Sequence, residues 1–215
     1  MSKQQPNRRS KQESWEERYA GEDYLFGTEP NDFLAQETHR LIPGSRALAV
    51  ADGEGRNGVW LAGQGLEVLS VDFSANALAK ARALAAERGL MIETVQADLF
   101  AWDWPLAAFD LVAAFFIQPG QAQQKILFRA MLAALKPGGL LIFEAHAKAQ
   151  AASEFGGPDN PDHLYAAAVV RRVLEEAGAE IISLEEKTII RRGGRYPGKP
   201  ASVVRLIARR PSRPQ

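Results

Sequence analysis

Two glycines and a distant aspartate are the residues whose type and spacing most clearly indicate chemistry in this sequence. Gly53 and Gly55 follow a small-residue apolar run at 47–51 and directly precede a helical pattern. Glycine lets the backbone pass close to a ligand, and a helix that begins there presents unpaired N–H groups. Asp72 ends the next apolar run, at the spacing of about 20 residues where an acid accepts hydrogen bonds from ribose hydroxyls. The pattern predicts a nucleotide site at the carboxyl ends of parallel strands.

Apolar runs and helical patterns alternate along the rest of the chain. Strands are predicted at 47–51, 66–71, 90–96, 109–117, 140–146, 180–190 and 201–209. Helices are predicted from 59 onward and at 75–88, 121–135 and 164–177, with Ser74 as the N-cap of the second. Alternating strands and helices form a parallel sheet that is covered on both faces, and two strands without a helix between them form a hairpin. The predicted fold is therefore α/β: a Rossmann-like, doubly wound, mostly parallel sheet of about seven strands, closed by a C-terminal antiparallel hairpin.

The domain organisation follows from composition. Residues 1–12 are polar and basic and are predicted to form a disordered tail. Residues 13–210 are predicted to form one domain that starts with a helical and aromatic leader at 13–44. A leader helix is expected to run to about Leu41, capped by Asn31 or Asp32. The leader's aromatic residues either cover a ligand or fill one end of the core, and the sequence leaves both uses open.

Composition excludes several classes of function. The chain has 215 residues, zero formal net charge and no cysteine. Because the net charge is zero, the protein has no overall electrostatic field that would attract nucleic acid or a membrane surface. The sequence shows no secretory signal and no apolar run of the roughly 18 residues that a bilayer span requires. Its three histidines are scattered, so no metal site is predicted. We expect a cytoplasmic protein, a monomer or weak homodimer, without nucleic-acid or membrane partners.

The layout and motifs resemble the class I S-adenosylmethionine-dependent methyltransferases over roughly 15–210. Gly53 to Gly55 is similar to the family's first motif, where the methionine part of the cofactor lies. Asp72 is similar to the ribose-binding acid, and Asp98 with Leu99 to the adenine site. The segments 109–112 and 135–139 are similar to the family's fourth strand and the turn before its fifth. The resemblance implies methyl transfer from S-adenosylmethionine to a small-molecule acceptor, with S-adenosylhomocysteine as product.

Four segments resemble, more narrowly, small bacterial methyltransferases related to tellurite-resistance methyltransferases. They are Trp15-x-x-Arg18-Tyr19 and the segments 26–31, 53–57 and 156–158. The resemblance implies that the aromatic leader helps to cover the cofactor. Tyrosine rings there would either face the sulfonium as cation–π partners or pack in the core. The predicted cofactor-binding residues are Tyr19, Tyr24, Asp52, Gly53, Gly55, Asn57, Asp72, Phe73, Asp98 and Leu99.

The chain also departs from the pattern that it resembles. The first motif usually has an acid where this chain has Ala49 and a glycine where it has Ala51. Asp52 lies in the same turn and is the candidate to compensate. In the tellurite-related branch, histidines often stand where this chain has Gln118 and Tyr196. These changes bear on the acceptor more than on the cofactor.

No catalytic residue is assigned from the sequence. The methyl of a sulfonium is already activated, so alignment with the acceptor is the main task, and a base is needed only for a protonated acceptor. Glu144 and His146 lie near the carboxyl end of the fifth strand. Each either contacts the acceptor or serves the protein alone: Glu144 by binding loop amides, His146 as an exposed side chain.

Two other functions remain open. Gly53-x-Gly55-x-x-Gly58 followed by Asp72 formally satisfies the dinucleotide fingerprint of a nicotinamide-dependent oxidoreductase. Asp98 and the terminal hairpin argue against it, as does the absence of a lysine four residues after any tyrosine. The second alternative is a non-catalytic module that binds S-adenosylmethionine, which Ala49 and Ala51 motivate.

Overall fold

A seven-stranded mixed sheet forms the centre of the molecule. The computed structural model describes residues 11–193 and 196–212, without the side chain of Lys11. The strands are β1 Arg46–Val50, β2 Glu67–Asp72, β3 Glu93–Gln96, β4 Phe109–Phe115, β5 Leu135–His146, β6 Glu180–Ile190 and β7 Pro200–Arg209. Their order is β3-β2-β1-β4-β5-β7-β6, in which β1 to β5 pair in parallel and β7 is antiparallel to both neighbours. The predicted fold class is confirmed, including the terminal hairpin.

Helices cover both faces of this sheet. They are α1 Lys11–Arg18, α2 Asp32–Gln36, α3 Arg56–Gly63, α4 Ala75–Glu87, α5 Gln121–Ala134 and α6 Ala167–Glu176. On one face, Phe128 of α5 and Val173 of α6 pack against Phe143 of β5. On the other, Leu61 of α3 packs with Ala49 and Ile142. Since alternate residues of the inner strands enter different clusters, both sides of each strand are apolar, as near-continuous apolar runs predict.

The N-terminal elements differ from their predicted bounds. Residues 1–10 of the predicted tail lie outside the described residues, and residues 11–12 belong to α1 instead. The predicted leader helix is shorter than expected: α2 ends at Gln36, and a separate 3-10 turn covers Thr38–Arg40. Asn31 is the N-cap of α2, because its side chain accepts hydrogen bonds from the amides of Phe33 and Leu34.

Three later boundaries also differ. β3 begins at Glu93 rather than 90. β5 begins at Leu135 rather than 140, so the segment 136–139, which the resemblance implies is the turn before this strand, belongs to the strand, with a register shift between Phe109 and Leu111 of β4. α6 begins at Ala167 rather than 164, because the backbone of Tyr165 pairs with the end of β5. The Tyr165 carbonyl accepts a hydrogen bond from the Lys148 amide at 2.8 Å, so it is not free to bond within a helix that starts at 164.

Ala51, directly after β1, has a left-handed backbone with φ of 46°. This conformation costs a residue with a Cβ about 1–2 kcal/mol, whereas glycine adopts it freely. We expect Ala51→Gly to raise the free energy of unfolding by about 0.5–1 kcal/mol after the larger backbone entropy of glycine is subtracted. Urea unfolding measures this change.

The matched control is Ala47→Gly, in the buried interior of β1. It removes a buried methyl group and relieves no left-handed residue, so it should lower the free energy of unfolding by about 1–2 kcal/mol. Equal destabilisation by both substitutions would contradict the assignment of strain to Ala51.

Candidate functional site

The loop between β1 and α3 is tied to the end of β2 through Asp72. Gly53 and Gly55 have left-handed φ values of 58° and 87°. The Asp72 carboxylate accepts hydrogen bonds from the amides of Gly53 at 2.9 Å and Ser74 at 3.0 Å. Burial raises the pKa of Asp72, while these amide hydrogen bonds lower it. One buried carboxylate therefore holds together the two turns that the sequence pattern predicts as the nucleotide site.

Asp52 orders the start of α3. Its carboxylate accepts hydrogen bonds from the Gly58 amide, at 3.1 Å to Oδ2, and from the Ser70 hydroxyl at 2.9 Å. Burial raises its pKa to about 7 despite these hydrogen bonds. A Cβ added to Gly58 would lie 2.4 Å from Asp52 Oδ2 and 3.4 Å from the Ala49 Cβ. The carboxylate thus lies beside Ala49, the position where the resemblance implies an acid.

Other side chains of the glycine loop hold the leader. Asn57 Oδ1 accepts a hydrogen bond from the Asn31 amide at 2.8 Å. The buried Glu54 carboxylate accepts from the Leu25 amide at 2.8 Å and from Lys80 Nζ at 2.7 Å. From its sequence motif, Asn57 is predicted to bind the cofactor, and Glu54 has no predicted role. In the structure both side chains bind the leader. The sequence gives no local signal for these contacts, because the two residues of each pair are 26 and 29 positions apart.

A buried polar network anchors the leader to β5 and β7. The Asn31 side chain donates to Glu144 Oε1 at 2.7 Å, and Arg205 Nε donates to Glu144 Oε2 at 2.5 Å. Glu144 is 1% exposed and Arg205 is 6% exposed. The Arg205 guanidinium also lies 4.8 Å from the centre of the Phe33 ring. Both oxygens of Glu144 are therefore engaged within the protein, which favours the structural use of this residue.

Aromatic residues of the leader lie over the glycine loop. The Tyr19 hydroxyl would be 2.9 Å from a Cβ added to Gly53. Its ring stacks on Trp15, whose ring in turn contacts Phe26. Tyr24 lies elsewhere, against α4, where its hydroxyl donates to the Lys80 carbonyl at 3.3 Å. Of the two tyrosines predicted for the cofactor, Tyr19 is brought to the loop and Tyr24 is not.

The predicted adenine site follows β3. Asp98 is exposed, and its Oδ1 accepts a hydrogen bond from the Phe100 amide at 3.0 Å. Leu99 packs on the core, and its carbonyl accepts from the Trp104 indole at 2.9 Å. The Phe73 carbonyl accepts from the Gln12 and Gln96 side chains. Because β2 and β3 are neighbours, Asp72 and Asp98 follow adjacent strands at the same edge of the sheet.

His146 ends β5 beside a strained residue. It is 9% exposed, and its Nδ1 is buried without a hydrogen-bond partner among the described residues. Its ring centre lies 4.8 Å from that of Phe116, which follows β4 with φ of 56°. Burial and the charge of Arg191 lower the pKa of His146 to about 4. The alternative of an exposed side chain is therefore wrong, and the imidazole is neutral at pH 7.

Gln118 and Tyr196, which replace two histidines of the related branch, lie near this edge. The Gln118 amide donates to the His163 carbonyl at 3.5 Å. The ring of Tyr196 would be 2.7 Å from a Cβ added to Gly156, which has φ of 73°. Glycine is therefore required at 156 for this close approach. Neither position carries an imidazole, and both side chains make contacts within the protein.

Comparisons with known proteins agree with this geometry. Residues 47–139 match the family model described as a methyltransferase domain. The ubiquinone/menaquinone biosynthesis C-methyltransferase UbiE of Ectopseudomonas mendocina is 30% identical over 147 residues, covering 61% of this chain and 54% of that protein. In these matches the chain is similar to the class I S-adenosylmethionine-dependent methyltransferases. S-adenosylmethionine is the cofactor of this family. The chain spans about half the length of the curated relative that it matches.

Solved structures share the fold of this chain at low sequence identity. One solved structure concerns the conversion of a disulfide bond into a thioacetal group during echinomycin biosynthesis. It aligns with a TM-score of 0.77 and 20% identity, and the alignment covers 95% of this chain and 94% of that chain. TehB from Haemophilus influenzae has a TM-score of 0.66 and 16% identity, covering 93% and 66%. Magnesium protoporphyrin IX methyltransferase from Synechocystis, with bound S-adenosylhomocysteine, has a TM-score of 0.65 and 15% identity, covering 92% and 93%.

The described residues contain neither a metal-binding cluster nor a membrane-spanning helix. Among residues 11–193 and 196–212, no three His, Asp or Glu side chains are grouped so that they could hold a metal ion. No helix in that part of the chain has the length and apolar character of a bilayer span.

The lowered pKa of His146 predicts a pH-dependent stability. The unfolded chain binds this proton below about pH 6.5 and the folded chain only below about pH 4. Since the unfolded state then binds more protons, stability is lost as pH falls through this window. Between pH 7.5 and 4.5, we expect the free energy of unfolding of His146→Phe to fall by on the order of 2 kcal/mol less than that of the wild type.

The measurement is the difference in unfolding free energy between the wild type and the variant at each pH. The pKa of Asp52 is raised on folding, so this group makes the folded state more stable as pH falls, opposite to the effect of His146. Asp52 is present in both proteins, so its effect cancels in the difference. His39→Asn, which replaces an exposed histidine, is the control. Parallel pH profiles for wild type and His146→Phe would contradict the assignment.

Proposed function

We propose that this chain transfers a methyl group from S-adenosylmethionine to a small-molecule acceptor. The observation that carries the proposal is the hydrogen-bonded union of the glycine loop with Asp72. It places two left-handed glycines, a helix N-terminus and a carboxylate at neighbouring parallel strand ends, with Asp98 following the next strand. This is the edge where open α/β sheets bind nucleotides.

The residues present fit the cofactor. A Cβ at Gly53 would meet the Tyr19 hydroxyl, so glycine at this position lets the leader tyrosine approach the loop backbone. Asp72 would hold the ribose, Asp98 and Leu99 the adenine, and the loop at 53–55 the methionine part. The bound cofactor supplies a methyl group already activated on a sulfonium. The task of the protein is orientation and exclusion of water, and orientation is worth up to about 7–11 kcal/mol in ideal cases.

The leader supports this task. Its stacked rings at Trp15 and Tyr19 cover the glycine loop, and Glu54, Asn57 and Glu144 hold it there through hydrogen bonds. A segment fixed at three separate points excludes water better than one fixed at its end. We propose that the leader encloses the cofactor.

The nature of the acceptor is part of the proposal. UbiE is named for quinone biosynthesis and the Synechocystis enzyme for magnesium protoporphyrin IX, and both acceptors are small molecules. The neutral His146 and the ring of Phe116 lie at the ends of β5 and β4. They would border an acceptor that approaches from this side. We further propose a monomer or weak homodimer in the cytoplasm.

A binding module without methyl transfer is the second candidate function. The observation that favours it is Ala51, whose left-handed backbone the resemblance would assign to glycine. A strained loop would bind the cofactor without aligning it for transfer. Cofactor binding with no S-adenosylhomocysteine formed on any acceptor of a screen would favour this reading.

Isothermal titration tests the assignment of the cofactor site. The protein should bind S-adenosylmethionine and S-adenosylhomocysteine but not NAD. Asp72→Ala and Asp98→Ala should each weaken binding by about 1–3 kcal/mol, because each leaves donors of the ligand unpaired. Asp103→Ala, an exposed acid five residues beyond Asp98, is the control and should leave affinity unchanged.

Circular dichroism is needed for Asp72→Ala, since this side chain also holds the Gly53 and Ser74 amides. Unchanged affinity in both variants would remove the site assignment. Binding of NAD alone would replace the proposal with an oxidoreductase.

A further inference from the structure

One face of α1 lies along the ends of β2 and the glycine loop. Gln12, Glu16 and Tyr19 are spaced four and three residues apart, so they project from the same side of the helix. Gln12 donates to the Phe73 carbonyl at 3.2 Å, and Tyr19 lies against Gly53. Glu16, between them, therefore faces the turn that follows Asp72.

Glu16 is fixed in this position by α4. Its Oε1 accepts a hydrogen bond from the Asn76 amide at 3.0 Å, and its carbonyl accepts from Asn76 Nδ2 at 3.1 Å. Its other carboxylate oxygen, Oε2, is buried and has no hydrogen-bond partner among the described residues. A buried acceptor without a donor is unfavourable, and more so when it carries charge. A hydroxyl donor of a bound ligand would satisfy it.

Glu16 and Asp72, the predicted ribose ligand, bind backbone amides two residues apart: Glu16 accepts from Asn76 and Asp72 accepts from Ser74. Burial is the main cause that raises the pKa of Asp72, and the negative charge of Glu16 adds to it. Carboxylates accept hydrogen bonds and cannot donate them to one another when ionised. A ligand that placed two hydroxyl donors between them would satisfy both and reduce the repulsion.

We propose that Glu16 binds the ribose of the cofactor, so that Glu16 of the leader and Asp72 of β2 together hold its cis-diol. This inference rests on the proposed function and adds a binding residue to it. The ribose is the part of the cofactor with two adjacent hydroxyl donors, one for each of these carboxylates. The leader then contacts the cofactor through a charged side chain as well as covering it with rings.

The test is a comparison of two ligands against Glu16→Gln. This variant keeps an oxygen for the Asn76 amide and replaces the unpaired oxygen with a nitrogen donor. The ligands are S-adenosylhomocysteine and its 2′,3′-dideoxy analogue, measured by isothermal titration. We expect Glu16→Gln to weaken S-adenosylhomocysteine about tenfold, as a charge-assisted hydrogen bond warrants, and to leave the analogue within about twofold.

Two further variants separate binding from support of the helix. Glu22→Gln changes an exposed leader carboxylate and should alter neither affinity. Asn76→Ala removes the side-chain hydrogen bond that holds α1 without touching the Glu16 carboxylate, so it should weaken both ligands by similar factors. Thermal melts of all three variants establish that each is folded.

The outcomes are distinct. Equal weakening of both ligands by Glu16→Gln would show that Glu16 only holds α1, and unchanged binding of both would show no role; either overturns the inference while leaving the cofactor site in place. Failure of the wild-type protein to bind S-adenosylhomocysteine would instead overturn the proposed function on which the inference rests.

Discussion

The candidate site depends on the hydrogen bonds of the Asp72 carboxylate. β1 and β2 pair in parallel with Val50 opposite Val71, so the turns that follow them begin at the same edge of the sheet. Parallel pairing brings these turns close but does not fix them, because neither turn belongs to a ladder. The two oxygens of Asp72 supply the missing connection by accepting from Gly53 and Ser74. The starts of α3 and α4 are fixed relative to each other through this one side chain.

The same loop also positions the leader. Glu54 and Asn57 flank Gly55, yet their carboxylate and amide oxygens accept from backbone amides of the leader rather than lying open to a ligand. A hydrogen bond of this kind is sensitive to loop geometry, since its strength falls steeply with angle. Any change in the loop therefore reaches the leader directly. The loop and the leader form one unit around the space where a nucleotide would lie.

Local patterns in the sequence predict what depends on local physics. The strands β1 and β4 are nearly continuous apolar runs because both faces are covered, and Ser74 caps α4 because its hydroxyl reaches the Ala77 amide. The polar network of Asn31, Glu144 and Arg205 could not be predicted, since Asn31 and Glu144 are 113 residues apart. Nothing in a window around Glu144 distinguishes a buried ion-paired carboxylate from an acceptor-binding one.

The late start of α6 shows the same limit. The segment from 164 to 166 has a helical apolar pattern, but the backbone of Tyr165 pairs with Ala147 and its hydroxyl donates to the Ile117 carbonyl. Tertiary hydrogen bonds with strand ends outweigh a preference worth a few tenths of a kcal/mol per residue. The side chain becomes a fully buried part of the aromatic cluster with Phe128 and Phe143.

The two departures in the first motif are physically linked. The Asp52 carboxylate and the Ala49 side chain both approach the same point beside Gly58, so an acid at position 49 would enter the space that Asp52 fills. Two ionised carboxylates there would repel strongly in a buried site. Ala49 is therefore the residue that permits Asp52 to turn inward and bind the Gly58 amide and Ser70. In this chain Asp52 therefore supplies the hydrogen bonds that order the start of α3.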